Sequence, residues 1–170
     1  DGNFGNDMAT VTVSVIDASS DNLWDPLADQ TVVATFTNDD VPGFTVVLID
    51  TVTGEDNLVG GSGSFSIVAN FAPSANVTVA LSSSNIAEGT VPASVTFTAA
   101  NWSTPQIITV SGIDELVNDG AIAYTIVTGD VTSADTYYDA LDGTTVSDIA
   151  MTNQDNEAPG IVINIISNQT

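Results

Sequence analysis

Regular alternation of apolar and hydroxyl side chains is the feature that most restricts the folds open to this chain. Across residues 10–15, valine alternates with threonine or serine, and a period of two is the signature of a strand with one buried face. Clusters of Gly, Ser, Asn and Asp separate such segments, and no helical stripe is longer than a turn or two. The alternation returns in residues 65–67, 77–81, 95–97, 108–110 and 124–126. We therefore expect an all-β fold, an antiparallel β-sandwich of about seven strands.

A repeated motif indicates that the chain carries parts of more than one unit. The pattern Ser-x-Asp-x-x-Trp/Tyr-Asp-x-Leu begins at Ser19 and again at Ser133, 114 residues later. The segment 36–50 is matched in the same order by the segment 151–167. Such self-similarity is typical of tandem repeat arrays. We expect residues 1–40 to be the C-terminal half of a preceding repeat, residues 41–157 a complete β-sandwich repeat, and residues 158–170 the first strand of a following repeat.

The charge balance excludes most catalytic chemistries. The 170 residues include 22 acidic side chains and no Lys, Arg or His, which gives a formal net charge of −22, and Cys is absent as well. Serine–histidine and cysteine–histidine nucleophile pairs, Schiff-base lysines and zinc sites with nitrogen or sulfur ligands are therefore excluded. Paired carboxylates could in principle serve acid–base catalysis, but we expect this protein not to be an enzyme.

The same balance restricts the partners of the chain. Nucleic acid and anionic membrane surfaces are bound through cationic side chains, so we expect neither as a partner. No apolar run reaches the roughly 18 residues that would suggest a membrane span. Side-chain salt bridges cannot form within the chain, so each carboxylate needs water, a backbone N–H, a hydroxyl, an amide or a bound cation.

Aspartate dominates the acidic residues, with 18 Asp against 4 Glu. Turns and loops that bind hard cations favour Asp, whereas solvated helix faces favour Glu. A halophile-like surface, in which the carboxylates only hold water, is the alternative explanation. We favour cation-binding loops, since hard cations such as Ca²⁺ take six to eight oxygen ligands.

Three kinds of segment concentrate oxygen ligands: the inter-repeat junctions at 38–42 and 153–159, the loop 114–120, and the repeated motif around Ser133. In a sandwich the loop 114–120 would lie at one end, near Glu55. An ordinary polar linker with Asx-turns remains open for the junctions, and a plain hairpin with solvated carboxylates remains open for the loop 114–120. The candidate metal ligands are Asn38, Asp39, Asp40, Asp114, Glu115, Asn118, Asp119, Asp135, Asp139, Asn153, Asp155, Asn156 and Glu157.

Residues 76–135 carry a run of segments, closest at 89–102 and 105–110, that resembles the Calx-β-like, cadherin-like repeats of large bacterial surface and secreted proteins. The junction 153–159 is similar to the calcium-binding Asp-x-Asn-Asp-Asn-x-Pro linker of cadherins. It differs by having Asn153-Gln154 in place of an Asn-Asp pair and by the insertion of Glu157. The resemblance implies Ig-like sandwich repeats in tandem, calcium at loops and junctions, and a structural role in an extracellular adhesin, stalk or matrix protein. Neighbouring repeats, and contacts to the cell surface or matrix, would be its partners.

Two other functions remain open. A self-assembling extracellular filament or surface-layer subunit, completed by strand exchange between neighbours, would use the apolar segment 161–166 as an open edge. A carbohydrate-binding or hydrolytic module would use aromatic residues together with carboxylates, and its candidates are Trp24, Trp102, Tyr137 and Tyr138.

Overall fold

A computed structural model describes residues 7–14, 23, 28–37, 41–55, 61–158 and 160. Strands dominate these residues, and the one helix among them is a single turn, so the expected all-β fold is confirmed. The candidate ligands Asn38, Asp39 and Asp40, and the strand expected at 161–166, lie outside the described residues. The elements are β1 Asp7–Val13, β2 Gln30–Phe36, β3 Phe44–Asp50, β4 Val52–Gly54, β5 Ser62–Ala69, β6 Val77–Ser83, β7 Gly89–Thr90, β8 Ser94–Phe97, β9 Gln106–Gly112, β10 Ile122–Ser133, α1 Thr136–Asp139 and β11 Ile149–Gln154.

The chain divides into two compact units, Asp1–Val41 and Pro42–Thr170. In the first unit, β1 and β2 pair as an antiparallel two-stranded sheet, with Asp7 opposite Phe36 and Val13 opposite Gln30. Every residue of both strands is exposed.

The second unit contains two sheets that share one hydrophobic core. The first sheet has the strand order β4-β11-β10-β6-β8 and the second β3-β5-β9-β7. All pairs are antiparallel except β4 with β11, which is parallel. Buried side chains of both sheets, such as Phe65 of β5 and Ile126 of β10, belong to one core cluster. Two sheets packed through their inner faces form a β-sandwich.

The alternation of the sequence explains which side chains enter this core. In β6, Val77, Val79 and Leu81 are buried, whereas the residues between them are not. The long strand β10 keeps this pattern past a bulge between Thr128 and Val131. It pairs with β11 through its first half and with β6 through its second, so it joins the middle of the larger sheet.

Two backbone contacts gather loops of both sheets at one end of the sandwich. The N–H of Glu55, just after β4, donates to the carbonyl of Gln154 at 3.1 Å, and the N–H of Ile113 donates to the carbonyl of Glu88 at 3.1 Å. The sheets approach closely here, since a Cβ on Gly112 would lie 2.4 Å from the carbonyl oxygen of Gly54. Glycine at position 112 therefore permits the contact that brings the loops together.

Among the residues that the structure describes, no helix is long and apolar enough to cross a membrane.

Candidate metal centre

Carboxylates from four separate segments converge at the end of the sandwich where Gly54 meets Gly112. The segments follow β4, precede β7, connect β9 to β10, and follow β11. All four glutamates of the chain lie here, although glutamate is its rarer acidic residue. We call this group the acidic cluster, and its members are Glu55, Glu88, Glu115, Asp119, Asp155 and Glu157.

Glu55 is the most enclosed member of the acidic cluster, with 1 % of its surface exposed. Its Oε1 lies 3.5 Å from the amide nitrogen of Asn153. Its Oε2 is buried and has no hydrogen-bond partner among the described residues. A buried carboxylate without a partner is strongly unfavourable, because burial removes the water that would otherwise solvate its charge. Since the chain has no Lys, Arg or His, the compensating charge has to come from a proton or a cation.

Two sets of three carboxylates could each enclose one ion, and both include Glu55. One set adds Glu115 and Asp119, and the other adds Asp155 and Glu157. Within each set, one oxygen from every residue lies within 4.8 Å of the others. Two oxygens that bind the same divalent cation at 2.3–2.6 Å lie no more than about 5 Å apart, so each set is compact enough to hold one ion. Glu55 is therefore placed to contact ions in either set.

Asn153 links the acidic cluster to the hydrophobic core. Its side-chain oxygen accepts a hydrogen bond from Thr53 Oγ1 at 2.9 Å, and Thr53 Oγ1 is 2.9 Å from the hydroxyl of Tyr124. Because Thr53 donates to Asn153, the Tyr124 hydroxyl is the donor in the second bond. On its other side, the Asn153 amide nitrogen faces Glu88 Oε2 at 3.4 Å and donates to the Ile113 carbonyl at 3.1 Å.

The segment after β11 is fastened to the loop between β9 and β10. Asp155 accepts hydrogen bonds from the backbone N–H of Gly120 and of Glu157, each at 2.7 Å. The side-chain amide of Asn118 donates to the carbonyl of Glu157. Gly120 has a φ of 81°, a left-handed conformation that side-chain-bearing residues adopt at a cost. These contacts bring two carboxylates of the segment after β11 into the acidic cluster.

Three carboxyl groups of the acidic cluster have shifted pKa values, because they lie close to one another and are partly removed from water. Partial burial, together with the carboxyls of Glu55 and Asp155, raises the pKa of Glu157 to about 7. Burial also raises the pKa of Glu115, with repulsion by Asp119 as the next cause. The pKa of Asp155 is lowered, because the N–H groups of Glu157 and Gly120 stabilise its charge. With a pKa of about 7, Glu157 is partly protonated at neutral pH.

The remaining candidates from the sequence are placed differently. Asp135 is buried and caps α1: it accepts bonds from the N–H of Tyr137 and Tyr138 and from both the N–H and the hydroxyl of Ser74. Asp139 accepts a 3.4 Å bond from the N–H of Ser133. Neither belongs to a carboxylate set that could hold an ion among the described residues. Asp114 is exposed and stands outside both sets as well. Asn156 is exposed, while Asn118 and Asn153 serve as hydrogen-bond donors.

Glu55 and Glu88 complete the cluster beyond the residues chosen from sequence. Glu55 appears in the sequence only as a neighbour of the loop 114–120, and Glu88 sits in an unremarkable turn before β7. The glutamates themselves are the sequence signal that could have revealed the cluster. The chain has only four of them, and each occupies a loop at the same end of the sandwich.

Aromatic side chains do not form a platform beside the acidic cluster in the part of the chain that the structure describes. Tyr138 is buried in the core, where its hydroxyl donates to the Phe71 carbonyl at 2.7 Å, and Trp102 packs against the core as well. Tyr137 is 46 % exposed, and Trp24 lies outside the described residues.

Comparison with known proteins adds no assignment to this geometry. The sequence matches no protein-family model, and a search of curated proteins finds no match. A function therefore has to be inferred from the acidic cluster and from the fold that assembles it.

Proposed function

We propose that the acidic cluster binds calcium and that the chain is a structural, calcium-stabilised β-sandwich repeat of an extracellular adhesin, stalk or matrix protein. One observation carries the proposal: Glu55 is almost fully buried, its Oε2 has no hydrogen-bond partner among the described residues, and it is shared by two carboxylate sets. A divalent cation would supply the charge that no side chain of this sequence can supply.

The donor set favours calcium over other divalent cations. The ligands on offer are oxygens, and the absence of His and Cys from the sequence removes the ligands that zinc, copper and nickel prefer. Magnesium demands near-ideal octahedral geometry and retains several waters, whereas calcium accepts six to eight oxygens in irregular arrangements. Carboxylates from four loops, each able to bind through one oxygen or both, suit the irregular coordination of calcium better than the octahedral coordination of magnesium.

Bound calcium would hold the segment after β11 against the sandwich. Glu55, Glu115 and Asp119 lie in loops between strands of the sandwich, whereas Asp155 and Glu157 lie in the segment after β11, the last described strand. An ion shared between them restrains that segment, so a following domain would leave at a fixed angle. Extracellular calcium modules bind with dissociation constants of about 10⁻⁴–10⁻³ M, and such affinity would suit a site of this kind outside cells.

Isothermal titration of the metal-free 170-residue chain with Ca²⁺ and with Mg²⁺ tests the proposal. We expect saturable Ca²⁺ binding that Glu55→Gln weakens at least about tenfold, because the variant loses the ligand common to both carboxylate sets. Asp114→Asn is the matched control: it removes one charge from the same end of the sandwich, at a residue outside both sets, and we expect less than about a twofold change. Absence of Ca²⁺ binding, or equal losses in the two variants, would contradict a specific site.

A further inference from the structure

Six of the eight side chains on one face of the hairpin formed by β1 and β2 are apolar, and the other two are Asp7 and Gln30. Residues paired across an antiparallel register project to the same face, and alternate residues project to opposite faces. The register therefore places Val11 beside Val32 and Ala9 beside Ala34, with Thr10 and Thr12 on the other face. We define the hairpin's apolar face by its six members Ala9, Val11, Val13, Val32, Ala34 and Phe36.

This face is open to solvent in the structure: Val11 is 58 % exposed and Phe36 60 %. β1 and β2 make up a sheet of only two strands, so among the described residues β1 pairs with β2 alone. An isolated two-stranded hairpin is marginally stable at best in water. An apolar face of this kind, bordered by an open strand edge, is a surface for strand pairing and sheet packing.

The second unit contains a comparable antiparallel strand pair, formed by β10 and β11. The repeated sequence aligns Phe36 with Met151, and the strand partners of these residues are Asp7 and Tyr124. Two residues earlier in β2 and in β11, the pair Ala34–Ala9 corresponds to the pair Ile149–Ile126. Both hairpins are closed by connections that carry the repeated Ser-x-Asp motif. The hairpin's apolar face therefore corresponds to the inner face of β10 and β11.

The inner face of β10 and β11 is covered by other strands of its own unit. Ile126, Ile149 and Met151 are buried in one cluster with side chains of β5 and β9, including Phe65 and Val110. Along its second edge, β10 pairs with β6 from Ile126 to Ser133. Both kinds of contact come from the strand set β3–β9, which lies within residues 44–112.

We propose that the hairpin's apolar face and the open edge of β1 dock a strand set of the same kind as β3–β9, carried by another repeat, and so complete a second sandwich. This interface goes beyond the proposed calcium function and uses no residue of the acidic cluster. A second copy of this chain is a poorer occupant, because its own strand set is already covered by β10 and β11. Displacing that pair would replace Ile126 and Ile149 in the core by the alanines of the hairpin, at a loss of buried apolar surface.

A chain extended at its N-terminus tests the interface. The extension is a second copy of residues 41–118 placed directly before Asp1, because Asp1-Gly2 aligns with Asp119-Gly120 in the repeat. Amide hydrogen exchange is measured for Ala9–Val13 and Val32–Phe36 in the 170-residue chain and in the extended chain. We expect exchange in both segments to slow at least about a hundredfold in the extended chain, since opening would then require loss of a sandwich core.

Two variants of the extended chain distinguish docking of the apolar face from a general effect of the extension. Val11→Asp places a charge on the apolar face and should abolish the protection, whereas Thr10→Asp places the same charge on the opposite face and should leave most of it. The proposal is overturned if the extension gives no protection, or if the two variants behave alike. It is also overturned if the 170-residue chain doubles in mass by light scattering while its own hairpin becomes protected as concentration rises, because that result would assign the face to a second copy.

Discussion

Replacing Glu55 by glutamine should have opposite effects on stability in the absence and in the presence of calcium. In metal-free solution the native side chain buries a carboxylate whose Oε2 has no hydrogen-bond partner among the described residues. A buried unsatisfied polar atom costs about 1–3 kcal/mol, and more when it is charged. Glutamine keeps the shape and removes the charge, so we expect Glu55→Gln to be more stable than the native chain in EDTA by about 1–3 kcal/mol.

Calcium should reverse this order. At a free concentration of one hundred times Kd, a bound ion stabilises the folded state by about 2.7 kcal/mol. The native chain receives this stabilisation, whereas the variant, which lacks the ligand common to both carboxylate sets, receives little of it. For a unit of this size each kcal/mol shifts Tm by about 2–6 °C, so the two melting curves should exchange order between EDTA and calcium by a readily measured margin.

Differential scanning calorimetry of both proteins in EDTA and in calcium is the assay. Asp114→Asn serves as the control, because it removes an exposed charge outside both carboxylate sets and should keep its position relative to the native chain under both conditions. If Glu55→Gln is less stable than the native chain in EDTA and calcium leaves that difference unchanged, then Glu55 is not an uncompensated charge that awaits a cation.

Two further predictions concern the proton at Glu157 and the cap at Asp135. The pKa of Glu157 is raised from 4.5 to about 7 in the folded protein, so between these values the folded state holds a proton that the unfolded state has released. The free energy of unfolding in EDTA should therefore fall as pH rises from 4.5 to about 7. Urea unfolding of Glu157→Gln should show a smaller fall than that of the native chain. An equal fall in the two proteins would assign the pH dependence to other groups. Asp135→Ala should lower the free energy of unfolding in urea by about 2–3 kcal/mol, because it removes a helix cap and the hydrogen bonds from Ser74. Its calcium affinity, measured by titration, should stay unchanged. Loss of calcium binding in a folded variant would instead make Asp135 a ligand.

Strand positions could be predicted well from this sequence because the alternation is local. Val77, Val79 and Leu81 enter the core as their spacing indicates, and the segment 10–15 contributes to β1. Nothing local gives the order of strands in the sheets, or the parallel pairing of β4 with β11, since these depend on contacts about a hundred residues apart.

The acidic cluster was predictable in part for the same reason. Glu115, Asp119, Asp155 and Glu157 stand in dense acidic runs that the sequence displays openly. Glu55 has only Asp56 beside it and Glu88 has no acidic neighbour, and only the folding of both sheets brings them to the others. Conversely, the regular spacing of Asp135 and Asp139 reflects a one-turn helix, in which Asp135 is the N-cap and Tyr138 fills the core.

The parallel pairing of β4 and β11 also decides how this unit would carry tension. β4 follows the first strand of the unit, β3, and β11 is the last described strand. Val52, Thr53 and Gly54 are held beside Thr152, Asn153 and Gln154 in parallel register. Force applied between the segment before β3 and the segment after β11 reaches β4 through β3, and it pulls β4 and β11 in opposite directions along their length. Their hydrogen bonds are then loaded together in shear, rather than opened one after another from an end. The shortest strand pair of the larger sheet thus lies where an extended array would concentrate its mechanical load.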